Sequence, residues 1–502
     1  MPNSGARRPL KSGQDDRIAV IDIGSNSVRM VIYDRLDRTP LPIFNEKQMC
    51  GLGRGLAATG RLNKDGKEAS RVALNRFALL IERLGIKRVI AAGTAALREA
   101  EDGPDFVAQL ERETNLDIEV ISGAEEARLS ASGVIAGLPQ AKGVMGDLGG
   151  GSLELVAIDK QQHGDQESLP LGPFKFPEKL KDRDDAVAYI RDQYESLGWL
   201  SKHKGQRIYP VGGAWRAIAK LHMGQSEHRL HIIHAYEIRR EEALDFTDLI
   251  SRQSRSSLEK MGSISSRRID VIPHAALLMN VLIEVMEPEA VMFSSYGLRE
   301  GLLFDRLDAK MRAEDPLLYS CRAIEARNSN FDGAGPLFRW TAPLFPKEDP
   351  PHERLRRACC LLSDFCWAEH PDYRAEHAFL RVLRSTMVGI THAERVFLAT
   401  VLHRRYGGKF GAHAVASHVL DDKEMHLAEV LGNALRLAQT LAGGAEALLE
   451  HTKLEVGSKE LTLHVDPGHL PLINDLIERR LSAVAKVLDL SPVVSPNRDA
   501  AA

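Results

Sequence analysis

The 502 residues carry 66 Lys and Arg against 69 Asp and Glu, a formal net charge of −3, with 44% hydrophobic and 27% charged residues. This composition excludes a largely disordered chain, and its balance gives no whole-protein pull on a polyanion, so a polyanionic partner requires a local basic track. The five cysteines include the adjacent pair Cys359 and Cys360 and no CxxC, which gives neither a disulfide framework nor a zinc signature, and no apolar run approaches the ~18 residues that span a bilayer.

The first 16 residues are polar and rich in Lys, Arg, Ser, Gly and Pro, without periodic apolar pattern or signal core. They are expected to be a disordered tail, and the chain is expected to be cytoplasmic, with no membrane and no specific nucleic-acid partner. The first domain, 17–135, opens on VIDIGSNSVRMVIYD, Val20 to Asp34. Here Asp22-Ile23-Gly24-Ser25-Asn26-Ser27 interrupts two β-favouring runs, Ile18 to Ile21 and Val28 to Tyr33, and predicts a hairpin. A helix over Lys67 to Leu84, with Ala73, Phe77, Leu80 and Leu84 on one face, leads to a strand over Arg88 to Ala92. Another helix precedes a strand over Asp117 to Ile121, and Gly123 opens the next helix, the alternation of an α/β layer fold.

The second domain, 136–308, repeats the opening motif as VMGDLGGGSLELVAID, Val144 to Asp159. The two stretches superpose without a gap: Asp22 falls on Asp147, Gly24 on Gly149, Ser27 on Ser152 and Asp34 on Asp159, a constant offset of 147 − 22 = 125 residues. Each loop has an acid at a strand end, then small residues exposing backbone N–H groups, then a hydroxyl, the composition of a loop that closes on phosphate oxygens. The aspartates carry the wrong charge for phosphate and are better suited to a divalent cation bridging to it. Beyond a polar region of unassigned structure, Lys160 to Lys204, come a strand-turn-helix over Arg207 to Leu221, the apolar segment Val271 to Met286, a strand over Ala290 to Ser294, and SYGLREGLLFDRL, Ser295 to Leu307. From 309 to 502 the helical spacing of Leu355 to Trp367, Ala378 to Leu383 and His392 to Leu402 predicts a helical domain. It closes with two short strands, Lys453 to Val456 and Leu461 to Val465, and a helix over Leu470 to Val487.

The loops DIGSNS and DLGGGS, with GTAALREA from Gly93, ISGAEEARL from Ile121 and SYGLREGLL from Ser295, together resemble the exopolyphosphatase/guanosine pentaphosphate phosphohydrolase (Ppx/GppA) family over Arg17 to Leu307. The resemblance implies duplicated actin-like ATPase (ribonuclease H-like) domains followed by a mainly helical, degenerate HD-like C-terminal domain. His370, His377, His392 and His403 occur without a His-Asp pair, so no metal is expected there. The implied activity is Mg²⁺-dependent hydrolytic release of terminal orthophosphate from inorganic polyphosphate, and a homodimer is expected. The alternative is 5′-phosphohydrolysis of guanosine pentaphosphate to the tetraphosphate. A non-catalytic polyphosphate or alarmone binder is a third reading, against which a water-activating base argues.

The resemblance also implies roles. Glu126 matches the catalytic glutamate that orients and deprotonates water, and Glu125, about 100° away around a helix, does not share that role. Asp147, with Glu154, is the expected metal ligand, Glu154 being otherwise a solvent-facing strand charge. Gly149, Gly150, Gly151 and Ser152 are expected to cradle the terminal phosphate from one side and Ser25, Asn26 and Ser27 from the other, with Arg98 forking onto phosphate oxygens. Asp22 reads as structural or as a water-mediated metal contact, and Gly212-Gly213 as a backbone approach to substrate or a plain turn. Arg267-Arg268, Arg356-Arg357 and Arg404-Arg405 are candidates for a polyanion track.

Overall fold

The computed structural model describes residues 16–177, 180, 182–261, 266–329, 331, 333–409 and 414–496, with only the backbone at 266–268. The expected tail, Asp16 apart, and the side chains of Arg267 and Arg268 lie outside the described residues. The chain divides into two compact units, 1–314 and 315–502.

The first unit holds two sheets built on one plan. In the first, β1 (Ile18–Ile23) pairs antiparallel with β2 (Ser27–Tyr33), which pairs antiparallel with β3 (Pro42–Met49). On the other side of β1 lie β4 (Arg88–Gly93) and β5 (Ile118–Val120), both parallel, giving the order β3-β2-β1-β4-β5. The second sheet repeats that order with β6 (Lys142–Leu148), β7 (Leu153–Asp159), β8 (Gln162–Leu169), β9 (Arg207–Val211) and β11 (Ala290–Phe293). It adds β10 (Tyr236–Arg239) at one edge, for β10-β11-β9-β6-β7-β8. This is the duplicated actin-like arrangement.

The hydrophobic runs of β1 and β2 are continuous because both faces are covered. Ala19, Ile21, Ile23, Met30 and Ile32 point to Leu74, Phe77 and Ile81 of the helix Lys64–Arg83. The alternate residues Ile18, Val20, Val31 and Tyr33 pack with Leu129, Leu302 and Leu303. The helix Gly123–Gly137 is buried nearly all round, because its Ala127, Ala131 and Val134 join Met145, Val156 and Tyr209 of the second sheet while Leu129 serves the first. The helix Leu298–Phe304 crosses it so closely that a Cβ at Gly301 would stand 1.8 Å from the Leu129 carbonyl oxygen, and one at Gly133 would stand 2.1 Å from that of Gly297. Gly301 of SYGLREGLL is therefore a packing requirement.

Three sequence expectations are corrected. The unassigned region 160–204 contains β8 and the helix Arg183–Glu195, capped by the Asp182 side chain. An 18-residue stretch, Ile269–Met286, is long and apolar enough to cross a membrane, but 67% of it is buried inside the protein, where its helix Ile272–Met286 forms part of the second sheet's core. The final helix begins at Asp475, after the 3₁₀ turn Pro467–Leu472 and an Asn474 cap.

The second unit is mainly helical. Among the described residues its two longest helices are His392–Arg405 and Asp422–Ala442. The two expected strands, β12 (Thr452–Val456) and β13 (Glu460–Val465), form a hairpin to which β14 (Ser491–Pro496) adds in parallel.

Candidate active site

The two polar tips adopt one conformation. The Gly24 N–H donates to the Ser27 carbonyl at 3.0 Å, and the Gly149 N–H to that of Ser152 at 3.0 Å. The tips face each other across a cleft of about 250 Å³, close enough that a Cβ at Gly150 would stand 3.2 Å from the Ser25 Cβ. Ser25, Asn26, Ser27, Gly149, Gly150, Gly151 and Ser152 all line it. The Phe174 N–H donates to the Gly150 carbonyl at 2.9 Å and holds the glycine-rich tip from behind.

Three acids gather at this cleft or just behind it: Asp147 and Glu126 line it, and Glu154 is buried behind Ser152. Asp147 ends β6 on its floor and accepts a hydrogen bond from the Ser130 hydroxyl at 2.7 Å. Glu154, its register partner on β7, is 1% exposed and accepts from the hydroxyls of Ser152 and Ser168. The solvent-facing alternative for Glu154 is thereby excluded. Glu126 lies one turn into the helix Gly123–Gly137, where the Ser122 cap accepts from the Glu125 N–H. Arg98 holds it there: one guanidinium nitrogen donates to Glu126 Oε2 at 3.2 Å and to the Ile121 carbonyl at 2.7 Å. Glu125 points elsewhere and pairs with Arg128 at 2.7 Å.

Burial raises the pKa of all three acids, and for Glu126 and Glu154 repulsion from the neighbouring carboxylates adds to it. Glu126 is pushed well above an ordinary carboxylate by burial and by Glu154, against the pull of Arg98. Glu154 is pushed up by burial and by Asp147, to about 7. Asp147 is raised by burial, which the Ser130 hydrogen bond opposes. Such a set fits a hard cation, which relieves the repulsion. It is no closed cage, since among the described residues the one group whose ligand atoms all lie within 4.8 Å of one another is elsewhere in the chain. An open set of carboxylates suits an ion that keeps waters and shares phosphate oxygens.

The cleft also carries cations that the sequence reading missed. Arg29, Lys47, Arg216 and Arg299 line it. Arg299 donates to Asp22 Oδ2 at 3.1 Å, so Asp22 serves as an anchor for that guanidinium. Arg216 is held by the Ser294 carbonyl at 3.1 Å, and burial pulls it down to about 10, which leaves it charged at neutral pH. Arg29 was findable: the 125-residue offset that maps Asp22 onto Asp147 maps Arg29 onto Glu154. Gly212 and Gly213 line the cleft as the start of the helix Gly213–Gln225. Gly212 is held at φ 98°, and a Cβ there would meet the Leu148 carbonyl oxygen at 2.5 Å.

Of the expected track residues, Arg356 is structural. It is 5% exposed, forks onto Glu348 at 2.8 and 3.1 Å and lies 4.0 Å from the Phe338 ring centre, an arrangement that leaves it no surface for a polyanion. Arg357 also lies over that ring, 4.1 Å from its centre. Arg404 and Arg405 are different: both leave a buried Nε without a hydrogen-bond partner, as does Arg480. Arg436 is pulled down to about 10 by burial and by Arg480, Arg404 and Arg405, so these four guanidinium groups form one positive cluster.

A sequence model described as the Ppx/GppA phosphatase family matches residues 31–310, and one described as exopolyphosphatase, C-terminal, matches residues 326–490. Retrograde regulation protein 2 of Saccharomyces cerevisiae is 26% identical over 443 residues, covering 78% of this chain and 72% of its own. Exopolyphosphatase 1 of Mycobacterium leprae is 26% identical over 335 residues, covering 63% of this chain and 96% of its own. Guanosine-5′-triphosphate,3′-diphosphate pyrophosphatase of Aeromonas salmonicida is 22% identical over 475 residues, covering 90% and 92%. Among solved structures, an exopolyphosphatase from Cytophaga hutchinsonii shares the fold at a TM-score of 0.53 and 23% identity, over 58% of this chain and 97% of that one. With the family's model spanning more than half of its length, and with that family's two-sheet fold around the cleft, the chain belongs to the Ppx/GppA phosphatase family.

Proposed function

We propose that this protein is an exopolyphosphatase, which releases terminal orthophosphate from inorganic polyphosphate by attack of water with a divalent cation, Mg²⁺, at Asp147 and Glu154. The observation that carries the reading is Glu126, a buried acid of raised pKa fixed by Arg98 at the edge of a cleft whose two walls are phosphate-type loops. Phosphoanhydride hydrolysis asks for positioning and charge neutralisation more than covalent chemistry. Backbone N–H groups of the two tips hold the terminal phosphate, and Arg29, Lys47, Arg216 and Arg299 neutralise the phosphates behind it. Glu126, ionised, orients a water and accepts its proton. A bound Mg²⁺ supplies polarisation of a phosphoryl oxygen and screening of the acids. A phosphate contact for Arg98 and a hydrogen-bonding role for Ser152 toward substrate belong to this proposal. In the unliganded protein Arg98 serves Glu126, and the Ser152 hydroxyl serves Glu154.

Guanosine pentaphosphate is the second reading, favoured by the likeness over 90% of the chain to a relative named for that substrate. Phosphate release from long-chain polyphosphate and from guanosine pentaphosphate, measured side by side on the purified chain with Mg²⁺, decides between them. Release from neither substrate leaves the reading without support and favours a binding role. Homodimerisation and a cytoplasmic location complete the proposal, tested by light scattering of the purified chain and by cell fractionation.

A further inference from the structure

We infer that His451, Asp466 and His469 form a second metal site, in the helical unit, for a transition-metal dication of the Zn²⁺ class. The site is built at the open end of the β12–β13 hairpin. Thr452 pairs with Val465, so His451 and Asp466 are the residues just beyond the ladder, and the Asp466 N–H donates to the His451 carbonyl at 2.9 Å. The 3₁₀ turn Pro467–Leu472 then folds the chain back, with the His469 N–H on the Asp466 carbonyl at 2.8 Å. That return lays one imidazole over the other, ring centres 3.7 Å apart and planes 11° apart.

Three donors result. His451 Nδ1 stands 3.0 Å from Asp466 Oδ2, and one ligand atom from each residue lies within 4.8 Å of the other two. Bonds of about 2.0–2.2 Å to a common ion put neighbouring donors roughly 3 Å apart, so the first pair already has the required separation. A His-Asp ion pair alone would account for His451 and Asp466. It does not account for His469, whose Nδ1 is buried and makes no hydrogen bond, a state that costs stability unless something completes it. Two imidazoles and one carboxylate select Zn²⁺, Co²⁺ or Ni²⁺ over Mg²⁺ or Ca²⁺, which prefer all-oxygen sets. With the His451 and Asp466 side chains 41% and 21% exposed, the ion would have solvent access, and its remaining positions would be filled by water. Its effect would be to tie the turn Pro467–Leu472 to the hairpin. This ion is separate from the cleft's: the residues belong to the other compact unit.

The test uses the full-length protein, stripped with a chelator and titrated with Co²⁺ followed by its visible absorption, then with Zn²⁺ in competition. One Co²⁺ per chain with a d–d band is expected. It should persist in the Asp147→Asn/Glu154→Gln variant, which lacks the two acids assigned to the cleft's ion, and weaken at least tenfold in His469→Ala and in Asp466→Asn. Zn²⁺ should raise the melting temperature of the unmodified chain and not of His469→Ala. No uptake by the unmodified chain, or equal affinity in His469→Ala, would overturn the site. The first of those outcomes does not depend on any variant folding.

Discussion

Arg29 and Glu154 occupy the same position in two copies of one hairpin: Arg29 pairs with Asp22 across β1 and β2 as Glu154 pairs with Asp147 across β6 and β7. One copy thus presents a guanidinium to the cleft where the other holds a carboxyl buried behind it. On the proposed reading the duplication kept the backbone and divided the chemistry, with a cation for the substrate on one wall and an acid for the metal on the other. The two variants Arg29→Gln and Glu154→Gln should therefore fail differently. Arg29→Gln should raise KM for polyphosphate severalfold and leave the Mg²⁺ concentration for half-maximal rate unchanged. Glu154→Gln should raise the Mg²⁺ requirement at least tenfold. Identical effects on both parameters would show that the hairpins do not divide the work in this way.

Glu126→Gln should cut turnover by roughly 10² to 10⁴, the usual worth of a general base, with substrate affinity within a few-fold. Glu125→Gln is its internal control, because Glu125 pairs with Arg128, which also donates to Asp305, and its loss should cost little activity. Arg98→Gln should lower turnover as well, by releasing Glu126 from its fixed orientation. Steady-state rates of the three variants are sufficient, and near-normal turnover in Glu126→Gln would remove it from the mechanism.

Much of this was legible because the signals were local. The repeat, the strand ends carrying Asp22 and Asp147, the capped start of the helix with Glu126, and the β12–β13 hairpin are each encoded within about fifteen residues. Arg216 and Arg299 were not legible, since only the packing of the helices Gly213–Gln225 and Leu298–Phe304 brings them to the cleft. β3 was missed because its burial pattern, largely exposed, gives no apolar alternation to read. Arg356 was expected on a polyanion track and is instead buried, because its partners, Glu348 and the Phe338 ring, lie in a loop and a helix whose approach no periodicity predicts.

Stability of the metal-free protein should fall as pH rises through neutrality. Glu154 has a native pKa of about 7 against an ordinary value of 4.5, so the folded state binds a proton that the unfolded chain has lost between those values. Its contribution is fully present below about 4.5 and is lost as pH rises through about 7, in the sense that unfolding releases protons. Glu126, raised by burial and by Glu154, acts in the same direction. Thermal melts without divalent ions at pH 5.5 and pH 8 should therefore show a lower midpoint at pH 8. Excess Mg²⁺ should restore part of the loss, and Glu154→Gln should flatten the dependence. A midpoint that rises with pH in that interval, with Glu154 intact, would contradict the acidic cluster.

The arginine cluster of the helical unit gives the last prediction. Burial and the charges of Arg480, Arg404 and Arg405 pull Arg436 down to about 10, and two acids beside the cluster are loosely placed, Glu429 at 4.0 Å from Arg404 and Asp364 at 3.5 Å from Arg405. Like charges packed this way destabilise the unit unless an anion joins them, and a phosphate chain has about one negative charge per residue to offer. If long chains are gripped here as well as at the cleft, Arg436→Gln and Arg480→Gln should raise KM for long polyphosphate several-fold while leaving KM for short oligophosphates and turnover unchanged. The effect should shrink as salt rises, since contacts between exposed charges are screened beyond about 8–10 Å at physiological ionic strength. The same substitutions should raise the melting temperature without polyphosphate, because they relieve the repulsion, and should reduce the extra stabilisation that long polyphosphate confers. Arg356→Gln makes the contrast: it breaks the buried pair with Glu348 and should lower stability with no selective effect on chain length. Steady-state assays on long and short chains at two salt concentrations, with melts of the same proteins, test all of this. Equal losses on both chain lengths would make the cluster a structural element of the helical unit and not a grip on substrate.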